Sequence, residues 1–213
     1  MITIKKFVFN SFQVNTYVLF DETKECVIID AACYEDFEKE ELVEYIAKEG
    51  LKPVRLLDTH CHIDHILGNN FVAGKYNLGL EIHRDGLPFH KGVKNQGVAF
   101  GFDIEPLTEP GNFFKDGDKI KFGNSELEVL YTPGHADGSV CFLNRKQRFV
   151  IVGDVLFNQS IGRTDLPTGD YDLLIKSIRE KLFTLPDDFT VYPGHGPETS
   201  IGFEKVNNPY LTM

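Results

Sequence analysis

Four apolar runs in this chain lead into histidine or aspartate, and this pattern limits the possible folds more than any other feature. The runs RLLDT, LEVLYTPG, FVIVG and TVYPG precede, in that order, the residues His60 with His62, Asp64 and His65, then His135, Asp154 and His195. Short apolar runs predict buried strands, and a rigid strand can present the residues after its end at one edge of a sheet. We therefore expect seven polar side chains to meet at one edge, although they span most of the chain.

Strand-like and helical segments follow one another in blocks in the first half of the chain. ITIKKFVF, NTYVLF and ECVIID predict three strands, and DFEKEELVEYIAKEG predicts a helix that ends at Gly50. VRLLDT predicts another strand, and a mixed region of helix and loop follows as far as Asp116. Residues 86–112 contain several Gly and Pro, which predicts a long loop that could lie over a site.

The second half predicts another block of strands. DKIKFG and SELEVLYT are joined by Gly-Asn, a hairpin signal, and SVCFLN and RFVIVGD form a further pair. DYDLLIKSIREKLFTLP predicts an amphipathic helix with Leu174, Ile178 and Leu182 on one stripe, and FTVYPGH is the last predicted strand. This order predicts an α/β (α+β) fold in which helices cover two stacked mixed β-sheets, a four-layer αββα sandwich. We expect residues 1–213 to form one domain.

Charge and composition narrow the function classes. The net charge is −10, which argues against nucleic acid or an anionic membrane as the main partner. No apolar run approaches the length of a membrane span, and the first residues alternate where a signal peptide would be continuously apolar. The four cysteines show no C-x-x-C spacing, so we expect reduced thiols in a cytoplasmic protein with a small-molecule substrate.

The crowded stretch THCHIDH indicates metal binding. Residues i and i+2 of an extended segment point the same way, so His60 and His62 can bind one ion, whereas Cys61 points away. Asp64 and His65 follow as the chain turns and can face a second ion. Imidazole and carboxylate groups suit zinc, manganese, iron or nickel. Five histidines and two aspartates exceed one closed tetrahedral site but suit two ions that share a carboxylate.

THCHIDH, TPGHADGS, GDVLF and VYPGHG together resemble the successive motifs of the metallo-β-lactamase fold superfamily over nearly the whole chain. GDVLFNQSIGRTDLPTGD and GHGPETSIGFEKVNNPYL further resemble the short bacterial glyoxalase II-like (hydroxyacylglutathione hydrolase-like) metal-dependent hydrolases. The resemblance implies a first ion bound by His60, His62 and His135, a second bound by Asp64, His65 and His195, and Asp154 as the bridge between them. His83 and His90 lie outside every motif, and we expect them to be structural.

The resemblance also implies the chemistry. Two divalent ions, zinc first with iron or manganese as alternatives, would share a hydroxide that attacks the carbonyl of a small thioester such as S-lactoylglutathione. Asp64 and Asp154 are then the catalytic carboxylates. Asp58 would either orient a metal ligand or end a strand in solvent, and Arg163 would either meet a substrate carboxylate or form a structural ion pair. Longer family members contact glutathione through a C-terminal helical extension, whereas this chain ends at Met213.

Other functions remain open at this point. Mononuclear-iron persulfide dioxygenases share the first motif and GRTD but use two histidines and one aspartate as ligands. A hydrolase of another ester or of a lactone would use the same centre. The superfamily's β-lactamases usually carry Cys in place of the bridging Asp, so Asp154 argues against β-lactam hydrolysis. A non-catalytic binding module would leave so complete a ligand set without a use.

Overall fold

A six-stranded mixed sheet forms the first half of the computed structural model, which describes residues 1–104 and 107–212. In spatial order its strands are β1 (Thr3–Phe9), β2 (Val14–Phe20), β3 (Glu25–Ile29), β4 (Lys52–Leu57), β5 (Leu80–His83) and β6 (Asn112–Phe114). The strands from β1 to β3 pair antiparallel, and those from β3 to β6 pair parallel. The parallel strands therefore end at a common edge, which the chain leaves at Leu57 toward the histidine-rich segment.

A second six-stranded mixed sheet follows in the chain. The remaining strands are β7 (Lys119–Phe122), β8 (Ser125–Tyr131), β9 (Val140–Asn144), β10 (Phe149–Gly153), β11 (Leu156–Phe157), β12 (Ser160–Ile161), β13 (Thr190–Pro193) and β14 (Thr199–Ser200). The spatial order in the sheet is β14-β13-β10-β9-β8-β7, and β11 and β12 form a separate short hairpin. Only β10 and β13 pair parallel, so the residues after these two strands emerge side by side.

Helices flank the two sheets. They are α1 (Asp36–Lys48), α2 (Ile63–Ile66), α3 (Asn69–Tyr76), α4 (Leu87–Phe100), α5 (Tyr171–Ser177), which continues as a π-helical turn over Ile178–Leu182, and α6 (Ile201–Asn207), with a 3₁₀ turn at Arg84–Gly86. Among the described residues, none of these helices has both the length and the apolar character needed to cross a bilayer.

The layers are visible in the side chains of β2, which is buried along its whole length. Tyr17 and Leu19 pack against the second sheet, whereas Val18 and Phe20 pack toward α1 and its neighbours. Successive side chains of a strand point to opposite faces, so a strand buried on both faces needs an apolar residue at nearly every position. Leu174, Ile178 and Leu182 are fully buried on the far side of the second sheet. The predicted αββα sandwich is confirmed.

The prediction of a long loop over residues 86–112 is wrong in part, because Leu87–Phe100 forms α4. Pro88 lies in the first turn, where no backbone N–H is needed, and Gly101 ends the helix in the left-handed conformation with φ 79°. Gly97 weakens helix propensity but fits closely against the carbonyl of Phe102 and the side chain of Ile104. Packing therefore outweighs local propensity, and residues 105 and 106 of the predicted loop lie outside the described residues.

Short strands account for the other differences from prediction. The region described as helix and loop also contains β5 and β6, and the hairpin of β11 with β12 was not predicted. FTVYPGH is not the last strand, because β14 follows it and pairs with β13. These strands have two to four residues each, too few for an alternating pattern to stand out in a sequence.

Candidate metal centre

Residues from four separate strand ends meet at one edge between the two sheets. His60 and His62 follow β4, His135 follows β8, and Asp154 comes directly after β10. His195 follows β13, where Gly194 makes the approach possible. A Cβ added at Gly194 would lie 2.2 Å from Oδ1 of Asp154 and 2.8 Å from the ring of His65. The glycine before His195 is thus required by the crowding of the centre itself.

Three imidazoles form the first triad, defined as His60, His62 and His135. One ligand atom from each lies within 4.8 Å of the others. Nδ1 of His62 and Nε2 of His135 face each other at 2.9 Å, and the ring of His60 is 4.8 Å from that of His62. Nitrogen lone pairs that converge in this way suit a cation with imidazole ligands.

Two imidazoles and a carboxylate form the second triad, defined as Asp64, His65 and His195. Their ligand atoms also lie within 4.8 Å of one another. Oδ2 of Asp64 is 3.3 Å from Nε2 of His195 and 3.7 Å from Nε2 of His65. Asp64 and His65 share the short helix α2, which turns the chain directly after His62. That turn separates the side chains of THCHIDH into two groups.

Asp154 lies between the triads. Its Oδ1 is 3.4 Å from Nε2 of His65, while its Oδ2 is 3.7 Å from Nε2 of His135 and 3.5 Å from Nε2 of His195. His60, His65 and Asp154 form a further group whose ligand atoms lie within 4.8 Å. One carboxylate therefore faces ligands of both triads, which is the position of a bridging group.

Buried polar atoms at this centre lack partners in the protein. Nε2 of His60, Nε2 of His62, Nε2 of His65 and Oδ1 of Asp154 are shielded from solvent and make no hydrogen bond with the described residues. An unsatisfied buried polar atom is costly, so a cluster of four at one point requires an explanation. A metal ion that accepts these lone pairs would provide it, and the residues present fit such an ion.

Hydrogen bonds outside the cluster orient the rings. Nδ1 of His65 lies 3.0 Å from Oδ2 of Asp30, and Nδ1 of His135 lies 2.8 Å from the carbonyl oxygen of Arg163. Nδ1 of His195 lies 3.0 Å from the carbonyl oxygen of Phe12. A ring that donates from Nδ1 keeps Nε2 free for a metal, so each contact favours the tautomer that a metal needs.

Asp30 links the two triads through Thr59. Its Oδ1 accepts the backbone N–H of Thr59 at 2.7 Å, and its Oδ2 accepts the Thr59 hydroxyl at 2.7 Å. The same hydroxyl lies 3.1 Å from Nδ1 of His60. One buried carboxylate thus positions a ring of the first triad and, through its direct contact with His65, a ring of the second.

The two triads differ in the pKa values of their histidines. Burial lowers the pKa of all three imidazoles of the first triad, that of His60 well below its usual value and that of His62 to about 4. Burial also acts to lower the pKa of His65, but the carboxylates of Asp154, Asp64 and Asp30 outweigh it and raise that pKa well above the usual value. For His195, the hydrogen bond to Asp64 and the charge of Asp154 outweigh burial and raise the pKa. Burial opposes ionisation of Asp154, yet the nearby histidines hold the pKa of its carboxyl below the usual value.

A cavity of about 780 Å³ opens onto the edge where the triads meet. His62, Asp64, Asp154 and His195 are among the residues that line it. Residues of the helix α4 also line the cavity, so the segment that was predicted to lie over a site does line it, as a helix. The volume falls within the range of pockets that enclose a small organic ligand.

The match to known families agrees with this geometry. The model of the Metallo-beta-lactamase superfamily matches residues 10–195. The chain belongs to this superfamily. That match includes both triads and Asp154, and the chain is accordingly a metal-dependent hydrolase with candidate ligands for a binuclear site.

Individual relatives cover nearly the whole chain. Probable metallo-hydrolase YqgX of Bacillus subtilis is 37% identical over 93% of this chain and 92% of its own length. Hydroxyacylglutathione hydrolase GloC of Haemophilus influenzae is 36% identical over 94% of each chain. Among solved structures, BLEG-1 B3 metallo-beta-lactamase has a TM-score of 0.90 at 34% identity, covering 99% of this chain and 100% of its own. A di-iron-bound form of TTHA1623 has a TM-score of 0.88 at 32% identity, covering 97% of this chain and 100% of its own.

Two residues whose roles were left open in sequence have defined contacts in this metallo-β-lactamase fold. Asp58 is buried, not solvated, and its Oδ2 accepts a 2.7 Å hydrogen bond from the side chain of Asn69. Burial raises its pKa well above the usual value. Arg163 forms an ion pair with Asp165 through two hydrogen bonds of 2.7 Å. The side chain of Arg163 is thus paired within the protein, while its carbonyl oxygen contacts His135.

The residues expected to lie outside the centre do so. Cys61 is buried next to Gly86 and is not among the metal-binding groups of the described residues. His83 stacks on the ring of Tyr131 with centroids 4.2 Å apart, and His90 is buried in α4.

The residues that position the candidate ligands were not predicted from the sequence. Asp30 ends the strand ECVIID, the same strand-end pattern that identified the other acidic residues, and the pattern could have included it. Phe12 acts through its backbone carbonyl, which no residue type specifies. Asn15 is also missed. Its side chain donates 2.9 Å hydrogen bonds to the carbonyls of Pro193 and Gly196, on either side of His195.

Proposed function

We propose that the protein is a binuclear hydrolase that cleaves a small thioester, with S-lactoylglutathione as the first substrate to assay. The observation that carries the proposal is the position of Asp154, with oxygens 3.4 Å from His65 and 3.5 Å from His195 on one side and 3.7 Å from His135 on the other. A site for one ion would not require a carboxylate that faces two sets of imidazoles.

Two ions bound to these triads would supply a hydroxide nucleophile at neutral pH and positive charge for the developing oxyanion. Asp154 would fix the spacing of the two triads and offset the charge of two dications. The pKa of Asp64 is lowered, because the charge of His65 and the hydrogen bond from His195 outweigh the effect of burial. Asp64 therefore stays ionised and accepts hydrogen bonds instead of donating a proton. Arg163 and Phe12 would hold His135 and His195 in orientation through their carbonyl oxygens.

Support for the substrate and metal comes from several sources. One relative bears the name hydroxyacylglutathione hydrolase, and GDVLFNQSIGRTDLP resembles that class. Zinc suits imidazole and carboxylate ligands and also binds a departing thiolate well. Iron is the alternative, since a similar structure is named as di-iron-bound. The four cysteines are all free and buried, which fits the cytoplasmic location expected from the sequence.

The test is thioester hydrolysis by protein of known metal content. We expect turnover of S-lactoylglutathione with two ions per chain and no uptake of oxygen. A single iron per chain, with oxygen consumed in the presence of a persulfide, would replace the proposal with the dioxygenase. Turnover of lactones or esters without turnover of thioesters would support a hydrolase but exclude thioesters as its substrates.

Hydrolysis of β-lactams is a second candidate, favoured by the similarity to BLEG-1 B3 metallo-beta-lactamase at 34% identity. Against it stands Asp154, at a position where the superfamily's β-lactamases usually carry Cys. We expect weak or no turnover of β-lactams. Efficient β-lactam hydrolysis by protein that does not cleave thioesters would favour the second candidate.

A further inference from the structure

The wall of the cavity of about 780 Å³ is rich in phenylalanine. Phe12, Phe89, Phe100 and Phe157 all line it, and Leu166 adds a further apolar surface. Phe100 is 55% exposed and Phe12 is 40% exposed, with their rings 5.8 Å apart at the mouth. Large apolar side chains left in solvent are unfavourable, and an apolar ligand would cover them.

The apolar surface begins directly beside the metal ligands. The ring of Phe89 lies 5.1 Å from the ring of His62, and the ring of Phe157 lies 6.2 Å from that of His195. One phenylalanine therefore flanks the first triad and another flanks the second. A group attached to the reacting carbonyl would contact aromatic surface at once, without crossing a polar zone.

Cations that could bind a carboxylate are scarce in the cavity. Among the lining residues that the structure describes, Arg163 is the one lysine or arginine. Its guanidinium already forms two 2.7 Å hydrogen bonds with Asp165. Glutathione carries two carboxylates, and a buried carboxylate needs a partner to offset its loss of hydration. Among the described lining residues, the cavity therefore offers these two carboxylates only the N–H groups of Arg163 that Asp165 does not use, and no second lysine or arginine side chain.

We propose that the preferred substrate is a thioester with an apolar acyl arm and a thiol part that needs no charge recognition. The inference rests on the proposed thioester hydrolysis and specifies its substrate class. The acyl arm would lie against Phe89, Phe100 and Phe157, with its carbonyl at the edge where the triads meet. An acyl group that carries a hydroxyl, such as lactoyl, buries less apolar surface there and therefore gains less binding free energy from burial.

The experiment compares butyryl, hexanoyl and octanoyl thioesters of N-acetylcysteamine, an uncharged thiol, with the same acyl thioesters of glutathione and with S-lactoylglutathione. Rates of hydroxide-driven hydrolysis correct for intrinsic reactivity. We expect kcat/KM to rise by about two- to fourfold per methylene, the factor for a methylene that leaves water for an apolar wall. We expect no gain from glutathione over N-acetylcysteamine for the same acyl group.

A variant tests whether the aromatic wall is the cause. Phe100→Ala removes one ring from the mouth of the cavity. We expect the variant to fold normally, because Phe100 is exposed in the free protein. The ratio of kcat/KM for octanoyl to butyryl thioester should fall by about threefold or more. Phe100→Leu should restore most of the ratio. Phe37→Ala is the matched control, because Phe37 is 67% exposed on α1 and does not line the cavity.

Calorimetric binding of the product carboxylates gives a readout that does not depend on turnover. Affinity should rise from butyrate to octanoate, and the rise should be smaller in Phe100→Ala. Thioester turnover that is flat with acyl length, or a preference of tenfold or more for S-lactoylglutathione, would overturn the inference and leave the proposed function in place. No turnover of any thioester, together with rising carboxylate affinity, would overturn the proposed function and leave the apolar cavity as a binding site for another apolar substrate.

Discussion

The first triad consists of three imidazoles from the loops after β4 and β8, whereas the second triad contains the carboxylate of Asp64 beside two imidazoles. This difference decides where protons reside in the metal-free chain. Burial lowers the pKa of His60, His62 and His135, so the first triad is neutral near pH 7. Carboxylates raise the pKa of the histidines in the second triad, so protons and a metal ion compete there.

The triads also differ in how they are enclosed. His60 and His135 of the first triad are each 2% exposed and His65 of the second triad is 0% exposed, whereas the side chain of His195 is 28% exposed. His195 belongs to a loop held by the carbonyl of Phe12 and by the side chain of Asn15. The first triad is thus a preformed neutral site, whereas the second is open at His195 and must exchange protons for metal. We expect the second ion to be the more easily lost.

Replacing the carboxylate between the triads should have the largest effect. In Asp154→Ala, both ions lose a ligand, and less negative charge remains to balance two dications. Activity should fall by more than about a hundredfold, since loss of a partner outside the ligand shell alone costs up to that much. Elemental analysis should show reduced occupancy of both ions. Asp36→Ala is the control, because the Asp36 side chain is 96% exposed in a surface ion pair. Two fully occupied ions in Asp154→Ala would refute the bridging role.

Single histidine replacements should separate the triads. His195→Ala removes a ligand that belongs only to the second triad, so one ion should remain. Affinity for the other ion should fall by at least about tenfold, since disturbing only the partner of a ligand already costs that much. His60→Ala should affect both ions, because His60 belongs to the first triad and also to the group with His65 and Asp154. One iron per chain that is unchanged by His195→Ala would support the dioxygenase instead.

The sequence indicated where the candidate ligands lie because their positions depend on a local pattern. Each lies just past an apolar run, and β4, β8, β10 and β13 do end there. The convergence of those strand ends follows from the sheet order, which the alternation of strand and helix blocks predicted in outline. The helix α4 was missed because Gly97 opposes a helix locally, while packing against Ile104 favours one.

The residues that position the ligands show where local patterns fail. Asp30 contacts His65 because β3 and β4 pair in parallel and end side by side. The partners are 35 positions apart in the chain, and no spacing rule joins them. The carbonyl of Phe12 contacts a ring 183 positions away, and any residue at position 12 would supply a carbonyl. Such contacts are properties of the assembled sheets and not of any segment.

Asp30→Asn tests whether both triads depend on one positioning residue. The amide has nearly the same shape but carries no charge and cannot accept all three hydrogen bonds that Asp30 accepts from Thr59 and His65. Affinity for both ions should fall by about 10- to 100-fold in chelator competition, the usual cost of losing an outer partner. The matched control is Asp21→Asn. Asp21 directly follows β2, at the end of that strand remote from Asp30, and its buried carboxylate accepts hydrogen bonds from Thr23 and Ser125. This control should lower stability but leave metal affinity unchanged. An effect of Asp30→Asn confined to one ion would show that the triads are positioned independently.

The smallest expected effect is the order in which acid removes the ions. His65 and His195 have raised pKa values in the metal-free chain, so protons already compete with metal near neutral pH and compete more strongly as pH falls. In the first triad the pKa of His62 is lowered to about 4, so protons compete there only at lower pH. Dialysis of the two-ion protein at stepwise lower pH should therefore release one ion first, with thioester turnover lost in parallel. His195→Ala should show only the later release at the lower pH. The prediction is wrong if both ions leave together in the wild type, or if the variant loses its ion at the higher pH. Either result would show that the carboxylate of Asp154 couples metal release from the two triads, despite the different pKa values of their histidines.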